Sequence, residues 1–336
     1  MKVSELGEFG LIGLLAKMIS TSQSKNAAAY QELVIGIGDD AAAWKGASAT
    51  QLATTDSLFQ DVHFRLSTTP WYELGWKALA VNLSDIAAMG GLPQYALVSL
   101  ALPPDTEVDD VKSMYRGMIE LAQRFGVALV GGDTCRAPLV SITITVLGSA
   151  GGKDGRMLTR SAARPGEKIA VTGTLGAAAA GMAMLDKKLQ LDDESSRQLR
   201  QAFLQPMPRV AEGQQLVELG VKAAIDISDG LISDLKHVCE ASRVGARVEA
   251  ERIPVAPAVR AHFNDRALAL TAAGGEDYEL LFTAREEKIA EVRTALSCPV
   301  TIIGEIVAEG RGNVVMVDAH GAPVDLEKSG WEHFGA

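Results

Sequence analysis

The stretch Ala223-Ala224-Ile225-Asp226-Ile227-Ser228-Asp229-Gly230 carries the pattern that decides the fold of this chain. Its apolar start is typical of a buried strand, and the turn residues after it lead into segment 231–241, for which a helix is predicted. A strand that passes through a tight turn into a helix is the building unit of α/β proteins. The stretch therefore predicts an α/β (α+β) fold, with the carboxylates of Asp226 and Asp229 beside the turn.

Four more short motifs place aspartate beside Gly, Ser or Thr at the end of an apolar run, where a strand or a helix is expected to stop. Buried carboxylates are energetically costly, so cations or hydrogen-bond donors are expected to accompany them. Carboxylate oxygens suit Mg²⁺, and their delivery from distant segments predicts convergence on hard cations where phosphorylated substrates meet. The motifs are Gly36-Ile37-Gly38-Asp39-Asp40, Thr54-Thr55-Asp56, Asn82-Leu83-Ser84-Asp85 and Gly131-Gly132-Asp133.

The first of these motifs also fits the GxGxxA fingerprint of dinucleotide-binding proteins. Two adjacent carboxylates at the phosphate-facing turn would repel a pyrophosphate, and no acid at the end of a second strand completes the fingerprint. The motif could bind a metal ion, or it could be a structural turn in which an aspartate caps a helix. If it binds metal, the spacing does not show whether Asp39 or Asp40 is the main ligand. Because the chain holds no GxxxxGK[ST] sequence, a P-loop is excluded, and metal-dependent phosphoryl transfer without one is the hypothesis.

The length of 336 residues predicts two domains, since a single core rarely grows this large. A glycine-containing stretch between Gly151 and Gly166 predicts the boundary, which divides the chain into 1–150 and 151–336. The net charge of −10 and the pI near 5.1 argue against nucleic acid or an anionic membrane as a partner. An acidic protein that binds phosphorylated ligands is expected to use cations as intermediaries.

Thiol and targeting patterns predict a cytoplasmic protein. The cysteines Cys135, Cys239 and Cys298 are far apart and lack CxxC spacing, which is typical of reduced thiols. The amino-terminal residues show no basic-then-apolar signal pattern, and no apolar stretch reaches the about 20 residues that a membrane-spanning helix needs. The five histidines share no ligand spacing, which disfavours zinc, and no Ser/His/Asp or Cys/His nucleophile arrangement is evident.

Hydrophobic periodicity predicts that helices and strands alternate along the chain, with a polar stretch at 186–199 as an exposed helix or loop. Helices are predicted over 8–20, 71–89, 107–125 and 208–219, and strands over 34–37, 51–55, 95–102, 127–130, 141–149, 168–172 and 223–225.

The stretch Gly274-Gly275-Glu276-Asp277-Tyr278-Glu279 precedes a predicted strand at 280–282. Two consecutive glycines allow a backbone to approach a ligand closely, and Glu276 or Asp277 could then bind a polar group of that ligand. A plain hairpin turn is the alternative. His63 follows Asp56 closely and could contact a substrate phosphate, although without that neighbour a structural role would be expected.

Taken together and in order, these motifs resemble the thiamine-monophosphate kinase family, within the superfamily of aminoimidazole ribonucleotide synthetase and selenophosphate synthetase. The resemblance covers nearly the whole chain, and only 186–205 carries no family signal. Besides the motifs above it involves Gly7-Glu8-Phe9-Gly10-Leu11-Ile12, Val62-His63-Phe64, Gly75-Trp76-Lys77-Ala78, Gly90-Gly91-Leu92-Pro93 and Gly275-Glu276-Asp277-Tyr278.

The resemblance implies an ATP-dependent kinase that phosphorylates the phosphate of thiamine monophosphate, with several Mg²⁺ ions and without a catalytic general base. It implies a two-domain fold like that of aminoimidazole ribonucleotide synthetase. The N-terminal α/β domain, 1–150, would bind metal and nucleotide and pair with its twin in a barrel-like dimer core. The C-terminal α/β domain would span 151–336.

The resemblance also implies a role for individual residues. Magnesium ligands would be Asp40, Asp56, Asp85, Asp133, Asp226 and Asp229, with hydroxyl or carbonyl help at Thr55. Nucleotide contacts would be Gly132, Asp133, Arg160 and Ser228, and thiamine phosphate would contact His63, Glu276 and Trp331.

Other functions, within the superfamily and outside it, fit the sequence less well. A selenophosphate synthetase is expected to have a reactive cysteine in an early Gly-rich loop, but the first cysteine of this chain is Cys135. A hydrogenase-maturation relative is expected to have a C-terminal cysteine, whereas this sequence ends in Phe334-Gly335-Ala336. Aminoimidazole ribonucleotide synthetase stays possible on fold alone, although the Gly-Glu-Asp-Tyr motif and the short N-terminus favour the thiamine enzymes. A non-catalytic thiamine-phosphate or nucleotide binder is the alternative from another class, and it has less need of six aspartates.

Overall fold

The structure is a computed structural model that describes residues 1–6, 8–22, 33–35, 43–44, 50–151, 155–326 and 330. The chain divides into two compact units. The first comprises Met1–Ile86 with Leu92–Ala150, and the second comprises Ala87–Gly91 with Gly151–Ala336.

The first unit combines helices with a four-stranded sheet and a small two-stranded one. Its helices are α1 (Val3–Leu6), α2 (Glu8–Ser22), α3 (Trp71–Ala88) and α4 (Val108–Phe125), and its strands are β1 (Leu33–Ile35), β2 (Ala43–Trp44), β3 (Gln51–Phe59), β4 (Gly91–Leu102), β5 (Ala128–Arg136) and β6 (Ser141–Ala150).

The strand order in the four-stranded sheet is β3-β6-β4-β5, so β3 and β5 form its two edges. Strand β3 runs antiparallel to β6, and β4 runs parallel to β5. In β6 the side chains of Ile142, Ile144 and Val146 are buried, whereas Thr143 and Thr145 between them are only partly buried. This alternation follows from the two-residue period of a strand, and it leaves one face of the sheet less covered than the other.

Helices α3 and α4 approach each other closely because glycines lie at their contact. A Cβ atom on Gly75 would come within 1.8 Å of the Met114 carbonyl oxygen, and one on Gly117 would come within 2.0 Å of the Tyr72 carbonyl oxygen. The contact therefore admits no side chain at either position. It holds α3, which carries the Asn82-Leu83-Ser84-Asp85 motif, in a fixed place.

The second unit contains a six-stranded sheet with helices packed against it. Its strands are β7 (Lys168–Thr172), β8 (Ala223–Asp226), β9 (Gly245–Glu249), β10 (Leu280–Ala284), β11 (Val300–Val307) and β12 (Val314–Val317), and its helices are α5 (Ala177–Lys187), α6 (Asp193–Leu204), α7 (Val210–Glu218), α8 (Leu231–Ser242), α9 (Pro257–His262), α10 (Ala267–Ala272) and α11 (Glu286–Ala295).

The strand order of this sheet is β12-β9-β11-β7-β10-β8. Only the β12–β9 pair is parallel among the pairs described. Alternate residues of the central strands enter separate hydrophobic clusters: Leu281 packs with helix α8, whereas Phe282 packs with α7 and α11. Apolar side chains thus emerge on both faces, which explains why every residue of β10 is buried.

Most predicted elements are present, but the expectation that each aspartate ends a strand or helix is wrong for three of them. Asp56 lies inside β3, Asp85 inside α3 and Asp133 inside β5. Backbone pairing does not require apolar side chains, so the ladders continue through the polar residues, as the pairing of Asp56 with Ile144 shows. Asp226 does end its strand, β8.

The polar stretch after residue 186 contains a helix, α6, which begins at Asp193. Among the described residues, no helix combines the length and the hydrophobicity that crossing a membrane would require.

Candidate active site

In the first unit, strand β3 and helix α3 share a polar contact on the covered face of the sheet. The Thr54 hydroxyl donates a hydrogen bond to the Asp85 carboxylate. Two residues along β3, the backbone N–H of Asp56 donates to the side-chain oxygen of Asn82 over 3.0 Å. Positions two apart on a strand and three apart on a helix share a face, so the structure brings Asp56 and Asp85 to the same side.

Asn82 is fully buried and links strand β3 to helix α3 through both ends of its side-chain amide. Its side-chain amide donates to the Ala78 carbonyl, one helical turn earlier, at 3.1 Å. With the amide nitrogen committed to the helix, the amide oxygen is left for the β3 backbone. The sequence motif contained Asn82, but only the structure shows that it positions the strand that carries Asp56.

The side chain of Thr55 lies on the opposite face of the sheet from Asp56. Its hydroxyl donates to the Ile144 carbonyl at 3.2 Å and accepts a hydrogen bond from the Thr145 hydroxyl at 3.1 Å. Within this unit, the Thr55 hydroxyl is therefore not placed beside the Asp56 and Asp85 carboxylates.

Asp133 lies on the edge strand β5 and is exposed. Its partner in the parallel ladder is Ser99 of β4. Strands β6 and β4 separate β5 from β3, which corresponds to roughly 14 Å at three strand spacings of ~4.8 Å. A single first unit therefore does not bring Asp133 next to Asp56.

At Gly132, which is predicted to contact a nucleotide, the backbone itself requires glycine. Its φ of +154° is one that side-chain-bearing residues rarely adopt, and a Cβ atom there would lie 1.8 Å from the Val98 carbonyl oxygen.

His63 follows β3 in a short turn. Its Nδ1 accepts a hydrogen bond from the backbone N–H of Phe59 at 3.0 Å, and the two rings pack at a centroid distance of 5.9 Å. Because Nδ1 is the acceptor, the proton of the neutral imidazole resides on Nε2.

In the second unit, Asp226 is the last residue of β8, and Ser228 and Asp229 lie in the loop between β8 and α8. Asp226 is buried, and the other two are partly buried. The backbone N–H groups of residues 228, 229 and 230 all donate to Oδ2 of Asp234, at 3.0, 3.1 and 3.0 Å. The structure thus adds Asp234, for which the available sequence signal was only an acid in the first turn of α8.

Three carboxyl groups lie close together at this loop, those of Asp226, Asp229 and Asp234. Burial raises the pKa of Asp234 to about 8, and the neighbouring charges of Asp226 and Asp229 add to the shift. Ligand atoms of Asp229, Asp234 and His237 lie within 4.8 Å of one another. Oxygen-rich and negatively charged surroundings of this kind fit a hard divalent cation.

The Gly-Glu-Asp-Tyr loop docks against the β8–α8 loop. The backbone N–H of Glu276 donates to the Ser228 carbonyl at 2.8 Å, and that of Tyr278 donates to the Ile227 carbonyl at 2.9 Å. A Cβ atom at Gly275 would lie 2.3 Å from the Ser228 carbonyl oxygen, so the close approach requires glycine. The structure therefore brings Glu276 together with Ser228.

Arg160 occupies a different place. Its carbonyl accepts a hydrogen bond from the Ser242 hydroxyl at the end of α8, at 2.7 Å. Thr159, just before it, donates its backbone N–H to the Lys222 carbonyl ahead of β8. The main chain of Arg160 consequently lies at the end of β8 opposite to Asp226. The predicted site residues Asp40 and Trp331 lie outside the described residues, as does Asp39.

Comparison with known proteins adds a family to this geometry. Residues 38–150 match the N-terminal domain of AIR synthase related proteins, and residues 164–317 match the C-terminal domain. The chain is 40% identical over 334 residues to thiamine-monophosphate kinase of Escherichia coli strain K12, covering 98% of each protein. It is 37% identical to the same enzyme of Bacillus subtilis, over 91% of this chain and 95% of that one.

Solved structures agree with the sequence matches. A thiamine-monophosphate kinase from Stenotrophomonas maltophilia superposes with a TM-score of 0.80 at 36% identity, covering 88% of this chain and 95% of that one. The structure of AaThiL complexed with AMPPCP and TMP superposes with a TM-score of 0.76 at 33% identity, covering 99% of both chains. The hydrogenase maturation protein HypE, at 21% identity and a TM-score of 0.75, shares the fold alone.

Proposed function

This chain belongs to the thiamine-monophosphate kinases of the AIR synthase related family, and we propose that it transfers the γ-phosphoryl group of ATP to thiamine monophosphate, giving thiamine diphosphate and ADP. The observation that carries the proposal is the 40% identity over 98% of both chains with an enzyme of that name. The full-length superposition on AaThiL complexed with AMPPCP and TMP supports the same substrates.

The described carboxylates fit magnesium as the accompanying ion. Asp56 and Asp85 share one face in the first unit, and in the second Asp226 ends β8 three residues before Asp229 in the loop that follows. All offer oxygen, which Mg²⁺ prefers. When bound, magnesium neutralises charge between the two phosphate groups, the main obstacle in an acidic protein.

We assign the residues as follows. Seven of the assignments rest on the resemblance alone, namely those of Asp40, Thr55, His63, Gly132, Asp133, Arg160 and Trp331. The Mg²⁺ ligands are Asp40, Thr55, Asp56, Asp85, Asp133, Asp226 and Asp229. Nucleotide contacts are Gly132, Asp133, Arg160 and Ser228, and thiamine monophosphate contacts His63, Glu276 and Trp331.

Transfer is direct and in line, without a phosphoenzyme. The attacking group is a phosphate oxygen, which is already largely ionised near neutral pH, so no general base is needed. The contribution of the protein is to position the reacting groups. Asn82 holds strand β3 against helix α3, and the close approach of the Gly275 backbone to Ser228 holds Glu276 beside Ser228.

The protein acts as a homodimer in which two first units join into a barrel-like core. The support is the sheet itself, because β3 and β5 are edges with no further partner among the described strands, and open edges invite pairing. Pairing of one chain's β3 with its twin's β5 would also bring Asp133 toward Asp56 of the other chain. Sedimentation should give twice the 35.5 kDa chain mass, and a monomer at micromolar concentration would refute this part of the proposal.

The function is tested by incubating the purified protein with MgATP and thiamine monophosphate and separating the products by chromatography. Thiamine diphosphate should appear in step with ADP and should cease with a chelator. Binding of both ligands without ADP release would instead identify a non-catalytic binder. Label from γ-labelled ATP that stays on denatured protein without acceptor would contradict direct transfer.

A further inference from the structure

Three consecutive backbone N–H groups in the β8–α8 loop converge on one carboxylate oxygen. Ser228, Asp229 and Gly230 donate to Oδ2 of Asp234 at 3.0, 3.1 and 3.0 Å. Asp234 is itself held in the helix, since its backbone N–H donates to the Gly230 carbonyl at 2.9 Å. At 2% exposure the residue is shielded from solvent, so water cannot readily replace the carboxylate.

Free N–H groups at the start of a helix ordinarily form a binding place for phosphate. In this loop, a carboxylate from the first turn of α8 already occupies that place. A phosphate group of ATP therefore cannot bind these N–H groups directly. Because neither these N–H groups nor a P-loop can hold the phosphate, cations bound by Asp226 and Asp229 are needed to do so.

The remaining backbone contacts of the loop run to the other functional loop. The Ile227 N–H donates to the Glu279 carbonyl at 2.8 Å, and the Ser228 carbonyl accepts from Glu276 at 2.8 Å. The orientation of Ser228 and Asp229 thus depends on Asp234 from one side and on residues 276–279 from the other. The peptide unit between Ser228 and Asp229 contacts both, since its N–H donates to Asp234 and its carbonyl accepts from the Glu276 N–H.

We propose that Asp234 is a positioning residue of the kinase, which fixes Ser228 and Asp229 for metal and nucleotide and closes the α8 N-terminus to phosphate. The proposal rests on the function proposed above. Asp234 acts through its acceptor oxygen rather than as a metal ligand. The distinction matters because His237 and Asp229 lie close enough to share a cation with it.

Substitutions distinguish a positioning role of Asp234 from a role as a metal ligand. Asp234→Asn keeps an oxygen that can accept the three hydrogen bonds but cannot become a carboxylate anion, whereas Asp234→Ala removes the acceptor as well. A positioning role predicts that Asn rescues what Ala loses, and a ligand role predicts that both fail. Asp234→Ser, whose hydroxyl is too short to reach, replaces the Ala variant if that one does not fold.

The matched control is Asp192→Ala. Asp192 also caps a helix, since its Oδ1 accepts from the Ser195 N–H at 2.9 Å at the start of α6, but it has no place in the proposed site. Its loss should lower thermal stability without altering metal binding. A comparison with it separates a local effect at the β8–α8 loop from a general loss of stability.

The first readout is independent of catalysis. Hydrogen exchange, followed by mass spectrometry on peptides covering 227–235, should quicken at least about tenfold at residues 228–230 in Asp234→Ala and stay near wild type in Asp234→Asn. Mn²⁺ binding, followed by electron paramagnetic resonance, should weaken about tenfold to 100-fold in Asp234→Ala only, as is found for residues that orient metal ligands. The Mg²⁺ concentration for half-maximal turnover should rise in parallel.

Protected amides in Asp234→Ala would overturn the inference, and so would an Asn variant as defective as the Ala variant. If the wild-type protein formed no thiamine diphosphate, the proposed function would fail. The exchange and Mn²⁺ measurements would then still decide the role of Asp234.

Discussion

Asp277 caps helix α5 from a point 101 residues further along the chain: its Oδ2 accepts a 2.7 Å hydrogen bond from the backbone N–H of Gly176. Its second oxygen accepts from the Ala178 N–H at 3.3 Å. These contacts satisfy N–H groups that a helix start leaves without partners. They also anchor the loop in which Glu276 and Tyr278 adopt positive φ angles of 69° and 50°.

The Asp277 cap should make stability depend on pH. Burial raises the pKa of Asp277 to about 7, above its ordinary value of 3.8. Its contribution to stability is therefore fully present below pH 3.8 and is lost as the pH rises through 7. Relative to Asp277→Asn, the wild type should lose up to about 1.4 kcal/mol per pH unit between pH 5 and 7 and nothing further above pH 8. Urea unfolding of both proteins at each pH measures this, and a pH-independent difference would contradict it.

The ion pair between Arg209 and Glu279 should matter for stability. Arg209 donates Nε and Nη2 to the two carboxylate oxygens at 2.7 and 2.6 Å, and Thr172 donates its hydroxyl to the same carboxylate at 2.6 Å. Arg209→Met leaves Glu279 buried without its cation, which should cost about 3 kcal/mol of unfolding free energy.

The control is Arg197→Met. Arg197 pairs with Glu194 on the surface of α6, where the two side chains are 69% and 57% exposed. Its loss should leave the free energy of unfolding nearly unchanged, because solvent screens an exposed ion pair. If urea denaturation gave equal losses of unfolding free energy for the two variants, burial of the Arg209–Glu279 pair would not contribute more than a surface pair does.

Two glycine substitutions in helices should have opposite signs. Gly117→Ala places a methyl group 2.0 Å from the Tyr72 carbonyl oxygen and should destabilise by about 1–3 kcal/mol. Gly13→Ala in α2 meets no atom within 4 Å and should stabilise by up to about 1 kcal/mol, because alanine favours the helix. Thermal unfolding of the two variants checks the sign, and destabilisation by both would contradict the packing argument.

The Thr54 hydroxyl should support the function of Asp85. Thr54→Val keeps the shape of the side chain but removes the donor to the carboxylate, at a cost of about 1 kcal/mol in stability. The Mg²⁺ requirement of turnover should rise about tenfold, since the carboxylate loses its orientation. Thr294→Val, which removes a hydroxyl bond to Ala290 within α11, is the control and should leave the requirement unchanged. An unaltered Mg²⁺ requirement in Thr54→Val would separate Asp85 from metal binding.

Much of the fold was predictable because local patterns and tertiary packing agree. The apolar run before Asp226 forms β8, and the turn after it leads into α8. The stretch 107–125 was predicted as a helix and forms α4, with Gly126 as a left-handed C-cap. Errors arose where polar residues continue a strand or helix, as at Asp133 in β5, because neighbouring strands supply the backbone partners.

The sequence by itself determined the family, the set of carboxylates and the elements that carry them, since these depend on residue identity and short-range periodicity. Only the tertiary structure decided which of them meet. It joins Asp56 with Asp85 through Asn82, leaves Asp133 on the other edge of the sheet, and gives Asp234 three donors from the β8–α8 loop. The physical reason is that strand order and side-chain contacts between distant segments follow from burial and backbone pairing over the whole unit, which no local pattern specifies.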